Sequence, residues 1–371
     1  MMESFNSTYS GFRKSIEYCT FCPKMCRFAC PVAQTEARES VTPTAKMTML
    51  YLIGKGFIKP SPELIDPLYK CTNCLHCFTY CAHKNMILPV YYSAREELRK
   101  FAREEIYQKA EKYKTNYLSS GNPFGASIYN KLNEILPGTG GSKKGVVFFP
   151  GCTESKFFPE SLSHVYNLIR KIVSGSVAYK ELNNCCGYPL MNAGLMDEFR
   201  DNAVKVAQNF NDANLIISNC PACVYVLGGI YSGLDIVIKP PVITAVEFFV
   251  KNLNGLMLRT EDNKKNAIYH DPCYLGRYRK IYEEPRLLIS AMGIEVSEFS
   301  WSRVDSECCG ASVSHLFPDL SHNIGKKRLD SVPPGSGGAL FTSCPACRMQ
   351  FSRISSKMVF DVAEEIAKRV L

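Results

Sequence analysis

Eighteen cysteines carry the clearest chemistry of this sequence, and every one of them belongs to a patterned group. Ten of them form two sets of five in the C-terminal part of the chain. Thiolates bind soft metals, and closely spaced cysteines can place several sulfur atoms around one ion or cluster. The pattern therefore predicts metal or redox centres rather than structural disulfides. The other eight cysteines lie in two N-terminal runs, Cys19-x2-Cys22-x3-Cys26-x3-Cys30-Pro31 and Cys71-x2-Cys74-x2-Cys77-x3-Cys81.

The two sets of five share one order and nearly one spacing. Their flanking residues repeat as well, since VVFFPGC parallels AIYHDPC and IISNCPAC parallels LFTSCPAC. Spacing and flanks together indicate an internal duplication. The sets are Cys152-x32-Cys185-Cys186-Gly187-x32-Cys220-x2-Cys223 and Cys273-x34-Cys308-Cys309-Gly310-x33-Cys344-x2-Cys347.

The adjacent pairs Cys185–Cys186 and Cys308–Cys309 are poorly suited to disulfides. Neighbouring Cα atoms lie about 3.8 Å apart across a trans peptide, whereas a disulfide usually needs about 4.4–6.8 Å. Two adjacent thiolates suit two different irons of one cluster instead. Each set then offers five ligands, while a cubane cluster needs four. Two alternatives follow: an unusual cluster, or four ligands and one free redox thiol. Each Cys-Pro-Ala-Cys segment also allows a thioredoxin-like dithiol.

The two N-terminal runs approach the spacing of bacterial-type ferredoxins, in which the fourth cysteine of each run ligates the other cluster. That logic predicts one [4Fe–4S] cubane on Cys19, Cys22, Cys26 and Cys81, and a second on Cys71, Cys74, Cys77 and Cys30. The runs depart from the pattern in two ways. Three residues separate Cys22 from Cys26, and Cys81 precedes alanine rather than proline. Two structural zinc sites are the alternative, because four cysteines also suit zinc.

Rigid elements must position these cysteines, and the repeated part of the chain predicts an α/β architecture. Helical patterns cover residues 197–210 and 283–292. The cysteines follow the predicted strands on loops, which is where open α/β sheets place their sites. The strands are predicted from short apolar runs at residues 146–149, 215–218, 267–269 and 339–341.

The N-terminal half gives weaker signals for secondary structure. Residues 1–15 suggest a loose lead-in. The charged segment 93–118 predicts one surface helix, with Ser93 as its N-cap and Glu96 completing a capping box. Glycine-rich stretches that follow predict a linker ending near Gly145.

Composition excludes several classes of function. The 371 residues suffice for two or three domains, and 46% hydrophobic with 21% charged residues is typical of a folded chain. The net charge of +9 comes without a nucleic-acid motif, and no dinucleotide fingerprint is present. Hydride chemistry would therefore belong to a partner. We expect no signal peptide and no membrane span, and hence a cytoplasmic location, with attachment to the inner face of a membrane only through a partner.

Other side chains near the cysteines have two interpretations each. His270 precedes Cys273 and either relays a proton to a leaving thiolate or is a structural hydrogen-bonding residue. His164 and His315 are weaker candidates for the same role. Two basic groups are interpreted as solvated helix faces, with attraction of an anionic thiol or acidic partner as the alternative. They are Arg277, Arg279 and Lys280, and Lys326, Lys327 and Arg328.

The cysteine framework resembles a known family. Residues 145–371 resemble the pair of CCG domains in the B-type polypeptide of heterodisulfide reductase, and residues 15–90 resemble the helical ferredoxin of its C-type polypeptide. The fused order is similar to the D-type polypeptide, and to the iron–sulfur subunits of glycolate, lactate and anaerobic glycerol-3-phosphate dehydrogenases. The resemblance implies an α+β multi-domain fold. Its parts would be a mainly helical two-cluster ferredoxin domain (1–92), a helix and linker (93–144), and a duplicated α/β CCG pair (145–262 and 263–371).

The same resemblance implies the cofactors. Two [4Fe–4S] cubanes would lie in the ferredoxin domain, and one or two noncubane [4Fe–4S] clusters in the CCG domains. The candidates for catalysis are Cys185, Cys186, His270, Cys308 and Cys309. The first noncubane set would be Cys152, Cys185, Cys186, Cys220 and Cys223, and the second Cys273, Cys308, Cys309, Cys344 and Cys347.

Two functions share this framework. In the first, electrons pass through the cubanes to the CCG clusters, where a small disulfide is reduced or a dithiol is oxidised. In the alternative, the chain is the electron-transfer subunit of a flavin-dependent 2-hydroxy-acid or glycerol-3-phosphate dehydrogenase. Both imply a flavoprotein or cytochrome redox subunit as partner, and neither involves nucleic acid.

Overall fold

The fold is taken from a computed structural model of the chain. It describes residues 6–24, 26–128, 132, 134, 136, 145–173, 177–179, 185–210, 212–260, 265–336 and 338–371. The predicted linker before Gly145 lies largely outside these residues. The predicted domain boundaries after residues 92, 144 and 262 stay predictions.

The N-terminal part is helical. Several of its helices begin with a proline in the first turn, where the missing N–H is not needed for a helical hydrogen bond. The helices pack around a core that includes Ile16, Met47 and Leu50, all with no exposed surface. The elements are α1 (Asn6–Thr20), α2 (Pro31–Glu36), α3 (Pro43–Gly54), α4 (Pro62–Tyr69), α5 (His76–Thr79), α6 (Leu88–Leu98) and α7 (Glu104–Ser120).

The expected loose lead-in is wrong for the described residues from Asn6 onward. They form helix α1, which packs against α3. Tyr9, Phe12 and Ile16 recur at helical spacing and face the same hydrophobic core. Burial of that face, rather than helix propensity, therefore holds this segment in place.

The single charged helix predicted over residues 93–118 is also wrong. Two helices, α6 and α7, cover the segment, and a 3-10 turn with extended residues at Ala102 and Arg103 separates them. Ser93 lies inside α6 and hydrogen-bonds to Thr8 at 2.7 Å, so it caps no helix. The backbone N–H of Arg103 donates instead to the buried carboxylate of Asp66, and this contact fixes the break.

The C-terminal part holds two four-stranded parallel sheets with the same strand order. The first sheet has the order β2-β1-β3-β4 and the second β6-β5-β7-β8. The duplication indicated by the cysteine spacing is therefore present in the fold, and the predicted fold class is confirmed. The strands are β1 (Gly145–Phe148), β2 (Ala178–Tyr179), β3 (Ala213–Ser218), β4 (Val242–Thr244), β5 (Lys265–His270), β6 (Ile294–Glu298), β7 (Ala339–Thr342) and β8 (Val359–Asp361).

Helices connect the parallel strands, as parallel pairing requires. The predicted helices over 197–210 and 283–292 and the four predicted strands are confirmed within a few residues at their ends. The helices are α8 (Cys152–Phe157), α9 (Pro159–Val173), α10 (Tyr188–Asn192), α11 (Met196–Ala207), α12 (Pro221–Tyr225), α13 (Ala245–Asn252), α14 (Gly276–Arg279), α15 (Glu283–Ala291), α16 (Pro318–Asp330), α17 (Pro345–Ile354) and α18 (Val362–Arg369).

The glycine after each cysteine pair has a steric reason. Gly187 and Gly310 have φ values of +85° and +83°, a region that side chains with a Cβ rarely adopt. A Cβ on Gly310 would lie 2.8 Å from the carbonyl oxygen of Ser321, and one on Gly187 would lie 2.7 Å from the Phe199 ring. Each glycine therefore lets the chain turn sharply against a packed helix directly after the two cysteines.

We predict that Gly310→Ala lowers the apparent unfolding temperature more than Gly335→Ala. Both glycines have φ near +80°, so both substitutions carry backbone strain of about 1–2 kcal/mol. Only Gly310 also meets backbone at 2.8 Å, while an added Cβ on Gly335 meets nothing within 4 Å. Thermal unfolding of the anaerobically purified variants at one scan rate measures the difference. Equal shifts would show that packing around Gly310 is not the constraint.

Candidate metal centres

The five cysteines of each set come from the same positions in the two sheets. Cys152 opens α8 just after β1, and Cys220 is the N-cap of α12 just after β3. In the second repeat, Cys273 follows β5 and Cys344 is the N-cap of α17 just after β7. The parallel strands thus deliver these cysteines to one edge of each sheet, as expected for open α/β folds.

The two sets face each other across one cavity of about 580 Å³. Pro189, Tyr113 and Phe124 add apolar wall, and His315 lies on the same surface. Sequence spacing alone placed each set on its own sheet and did not predict a shared cavity. The cysteines that line it are Cys152, Cys185, Cys186, Cys220, Cys223, Cys273, Cys308, Cys309, Cys344 and Cys347.

The sulfur atoms converge without forming bonds. Cys152 Sγ and Cys185 Sγ lie 3.1 Å apart, and so do Cys309 Sγ and Cys347 Sγ. A disulfide bond is about 2.05 Å long. All cysteines of the chain are free thiols in this structure. Groups of buried sulfur atoms that meet in this way suit a polynuclear iron–sulfur cluster.

The N-terminal cysteines also assemble in two groups. Cys30, Cys71, Cys74 and Cys77 line one small cavity beside the apolar side chains of Val32 and Leu88. Asn85 donates to both Cys19 Sγ and Cys81 Sγ, at 3.1 and 3.3 Å. Cys22, Cys26 and Cys81 all lie close enough to Cys19 to raise its pKa, so these four form the other group. The structure thus brings together the members of both predicted cubane sets, across more than 40 residues of chain.

Burial makes these thiols poor sites for an uncompensated negative charge. It raises the pKa of Cys19 to about 12 and that of Cys30 to about 11. Iron bound to the sulfur atoms would supply the missing positive charge. Hydrogen-bond donors already point at several sulfurs, as is common around iron–sulfur clusters. Asn85 Nδ2 lies 3.1 Å from Cys19 Sγ, and the N–H of Gly310 lies 3.3 Å from Cys308 Sγ. The residues present therefore fit such clusters.

A buried lysine, which sequence reasoning missed, lines the second N-terminal group. Lys46 is 1% exposed, and its charge opposes the effect of burial on the pKa of Cys30. The ammonium also lies 5.9 Å from the centre of the Tyr91 ring. Nothing in the sequence around Lys46 indicates that this lysine faces the cysteines.

The second N-terminal run docks onto the second repeat. Ser312 Oγ donates to the carbonyl of Thr72, and Tyr278 OH to that of Asn73, both at 2.6 Å. The Cys74 thiol is hydrogen-bonded to Cys308, which lowers the pKa of Cys74 well below its usual value. A cysteine of the ferredoxin region therefore touches a cysteine of the second five-cysteine set.

The expected solvated helix face is wrong for Arg277 and Arg328. Arg277 is 4% exposed and Arg328 is 1% exposed. Arg328 Nε donates to His270 Nδ1 at 3.3 Å, and its guanidinium lies 3.8 Å from the centre of the Phe299 ring. Arg279 is half-buried and ion-paired with Glu247. Lys280, Lys326 and Lys327 are exposed, as expected.

His270 lies in the second repeat beside the cysteines. Its ring, Cys309 and Cys347 place their possible ligand atoms within 4.8 Å of one another. Because Nδ1 accepts from Arg328, a neutral ring carries its proton on Nε2, and the ring hydrogen-bonds to Cys309. Phe149 holds the matching position of the first repeat. His315 lines the shared cavity and stacks on Tyr113, whereas His164 is exposed.

Two family models match the ferredoxin region and the two repeats. Residues 15–85 match the 4Fe–4S dicluster domain, and residues 146–228 and 267–352 match the cysteine-rich CCG domain. The chain is thus an iron–sulfur protein that joins a dicluster ferredoxin domain to two CCG domains. The resemblance to the D-type polypeptide of heterodisulfide reductase and to related iron–sulfur proteins is confirmed, at modest identity.

The chain is similar to several curated proteins at modest identity. The D-type polypeptide of dihydromethanophenazine:CoB–CoM heterodisulfide reductase from Methanosarcina mazei is 24% identical over 82% of this chain and 78% of its own length. One polypeptide of the fumarate reductase (CoM/CoB) from Methanothermobacter marburgensis is 24% identical over 87% of this chain. The chain spans only 56% and 65% of two curated relatives that it matches. A hypothetical protein from Helicobacter pylori superposes with a TM-score of 0.53 at 11% identity, over 99% of this chain and 76% of its own, which supports the fold alone.

The helices give one further finding about location. Among the described residues, no helix combines the length and apolar character needed to cross a bilayer. The cytoplasmic location and the attachment through a partner stay predictions.

We predict that anaerobically purified protein contains iron and acid-labile sulfide, and little zinc. The reason is that sulfur atoms converge in four groups with N–H donors around them, a setting that suits inorganic sulfide bridges. Metal analysis and a sulfide assay on one sample decide between the alternatives. Zinc without sulfide would show four-cysteine structural sites and would exclude electron transfer through this chain.

Proposed function

We propose that the protein is an oxidoreductase subunit that carries single electrons through two [4Fe–4S] cubanes of its ferredoxin domain to the CCG domains. There a small disulfide is reduced, or two thiols are oxidised in the reverse direction. Reduction consumes two electrons and two protons and releases two thiols. The ten CCG cysteines that line one cavity are the observation that carries this proposal.

The lining of the shared cavity favours binding of a small disulfide over electron relay alone. Electron relay needs two clusters near each other but no open space between them. Clusters on the ten cysteines would fill part of the cavity of about 580 Å³, and aromatic side chains from outside both sets add apolar wall that no cluster requires. Arg353 lies on the lining with its guanidinium 5.3 Å from the centre of the Phe157 ring. It is an exposed cation that would attract an anionic group of the substrate.

Clusters bound to these cysteines would supply one-electron storage, which a two-electron disulfide step needs. The protein's own part is to position and to shelter. Cys308 and Cys309 would hold the second cluster at the cavity wall, and Cys185 and Cys186 the first. His270 Nε2–H would donate a hydrogen bond to Cys309, a role that orients and stabilises a thiolate. His270 is therefore proposed as a positioning residue and not as a proton relay.

Exposure supports electron input at the first N-terminal group. Its four cysteines are half-buried, whereas Cys30 and Cys74 of the second group are buried. Exposed Tyr18, Phe21 and Phe28 lie on the same short segments as these cysteines. Exposed Lys24 and Lys84 add positive charge there. A flavoprotein or cytochrome partner with an acidic docking face would match this rim.

Electron paramagnetic resonance tests the proposal directly. Oxidised protein is titrated with coenzyme M, coenzyme B and glutathione, and a second sample is reduced stepwise with dithionite. We expect a paramagnetic signal at oxidising potential that appears only with a thiol, because a substrate sulfur reaches a CCG cluster through the cavity. Signals from reduced cubanes alone, unchanged by every thiol, would contradict disulfide chemistry and favour the electron-relay function.

Two serine variants should separate the steps. Cys309→Ser is expected to abolish reduction of the CoM–CoB heterodisulfide by reduced viologen, while both ferredoxin cubanes remain reducible. Cys74→Ser is expected to block electron supply through the second cubane and to leave the thiol-dependent signal in place. Turnover assays and dithionite titrations of each variant measure these effects. Full turnover in Cys309→Ser would show that the second CCG site is not catalytic.

A further inference from the structure

A buried arginine of the second CCG domain, Arg277, lies at the junction with the ferredoxin domain. We propose that Arg277 is a positioning residue for electron transfer, whose charge favours an electron at the Cys74 group and at the second CCG set. This inference rests on the proposed function, since it requires clusters at both places.

Hydrogen bonds hold the Arg277 guanidinium between the two domains. Nε donates to the carbonyl of Cys74 at 2.6 Å, across 203 residues of chain. Nη1 donates to the carbonyls of Ser306 at 2.5 Å and Val304 at 3.1 Å. These contacts fasten the second cubane run to the loop that leads into Cys308. The side chain therefore bridges the ligand loops of two proposed clusters.

One nitrogen of this guanidinium is left without a partner. Nη2 is buried and makes no hydrogen bond. An unpaired buried donor is costly unless a group of opposite charge faces it. The thiols of Cys74, Cys273 and Cys308, together with the Tyr282 hydroxyl, lie close enough to Arg277 to raise its pKa against the effect of burial. Thiolates and sulfides of bound clusters would provide the missing negative charge.

The loop that receives Arg277 is itself held rigidly. Asp271 forms a buried bidentate ion pair with Arg286, with both contacts at 2.8 Å. The same carboxylate accepts from the N–H of Arg303 at 2.8 Å, and Ser306 Oγ donates to the carbonyl of Asp271 at 3.0 Å. The guanidinium therefore has little freedom to turn away from the junction.

The first repeat meets a buried cation of the ferredoxin region, since Arg95 donates to the backbone and side-chain oxygens of Asn192. At the position that matches Arg277, however, the first repeat has an exposed lysine. The residue four positions after its first cysteine is Lys156, where Arg277 stands four after Cys273. Lys156 is exposed and lines a surface depression with Pro159 and Glu160. An arginine keeps its charge at every working pH, and a buried fixed charge acts more strongly than an exposed one. The two repeats therefore differ at this matched position, where only the second has a buried positive charge.

The test compares reduction potentials of purified holoprotein variants. Arg277→Gln removes the charge and keeps a donor, whereas Arg277→Lys keeps the charge. The second cubane signal is identified by its loss in Cys71→Ser. In Arg277→Gln, we expect this cubane to be reduced at a more negative potential, with a change of about tenfold in the one-electron equilibrium, or about 59 mV. Arg277→Lys should restore most of the shift.

Lys156→Gln is the matched control, and it should leave the second cubane potential at the wild-type value. An unchanged potential in Arg277→Gln with full iron and sulfide would overturn the inference, because the side chain would then act only as a clamp. If the Arg277→Gln variant does not assemble the second cubane, the Arg277→Lys variant decides between the charge and the hydrogen bonds of Arg277. Loading at the wild-type potential supports the role of charge, while failure of both variants shows that the fork of hydrogen bonds matters instead. Absence of iron and sulfide from the wild type would remove the proposed function itself.

Discussion

Burial of sulfur without compensating charge is the constraint on which this structure depends. Most of the eighteen cysteines lie inside the protein, and burial raises the pKa of thiols such as Cys30. A group of buried thiolates is stable only beside positive charge, which iron, Lys46 and Arg277 can provide. Clusters would therefore contribute to folding as well as to electron transfer, because each one joins segments that are far apart in the chain.

The two repeats bury their cysteines in the same way. Parallel strands end at the same edge of each sheet, so Cys152 and Cys220 in one sheet reach the cavity as their counterparts do in the other. The glycine after each pair lets two adjacent cysteines turn inward against a helix. Duplication then places two equivalent sites face to face. Differences at a few positions, such as His270 for Phe149, make the sites chemically distinct.

How much of this could be predicted from sequence depended on the range of the interactions. Short apolar runs are local signals and predicted the strands, while the repeated cysteine spacing predicted the duplication and the sets that the structure brings together. Helix α1 was missed although Tyr9, Phe12 and Ile16 have helical spacing, because a short apolar face is decisive only once a core exists to bury it. The burial of Arg277 could not be predicted, since its partner Cys74 lies 203 residues away.

Each N-terminal group takes cysteines from both runs of the sequence, and this mixing has a consequence for function. The first N-terminal group combines cysteines from both runs, and so does the second, so neither can form before residues 19–81 have folded together. Exposure then falls from the first group to Cys74 and Cys308. Electrons would enter at the surface and move toward lower exposure, while the disulfide would react in a cavity on the far side of that path. Such a separation would keep a one-electron donor away from the disulfide, so that electrons reach the disulfide only through the clusters.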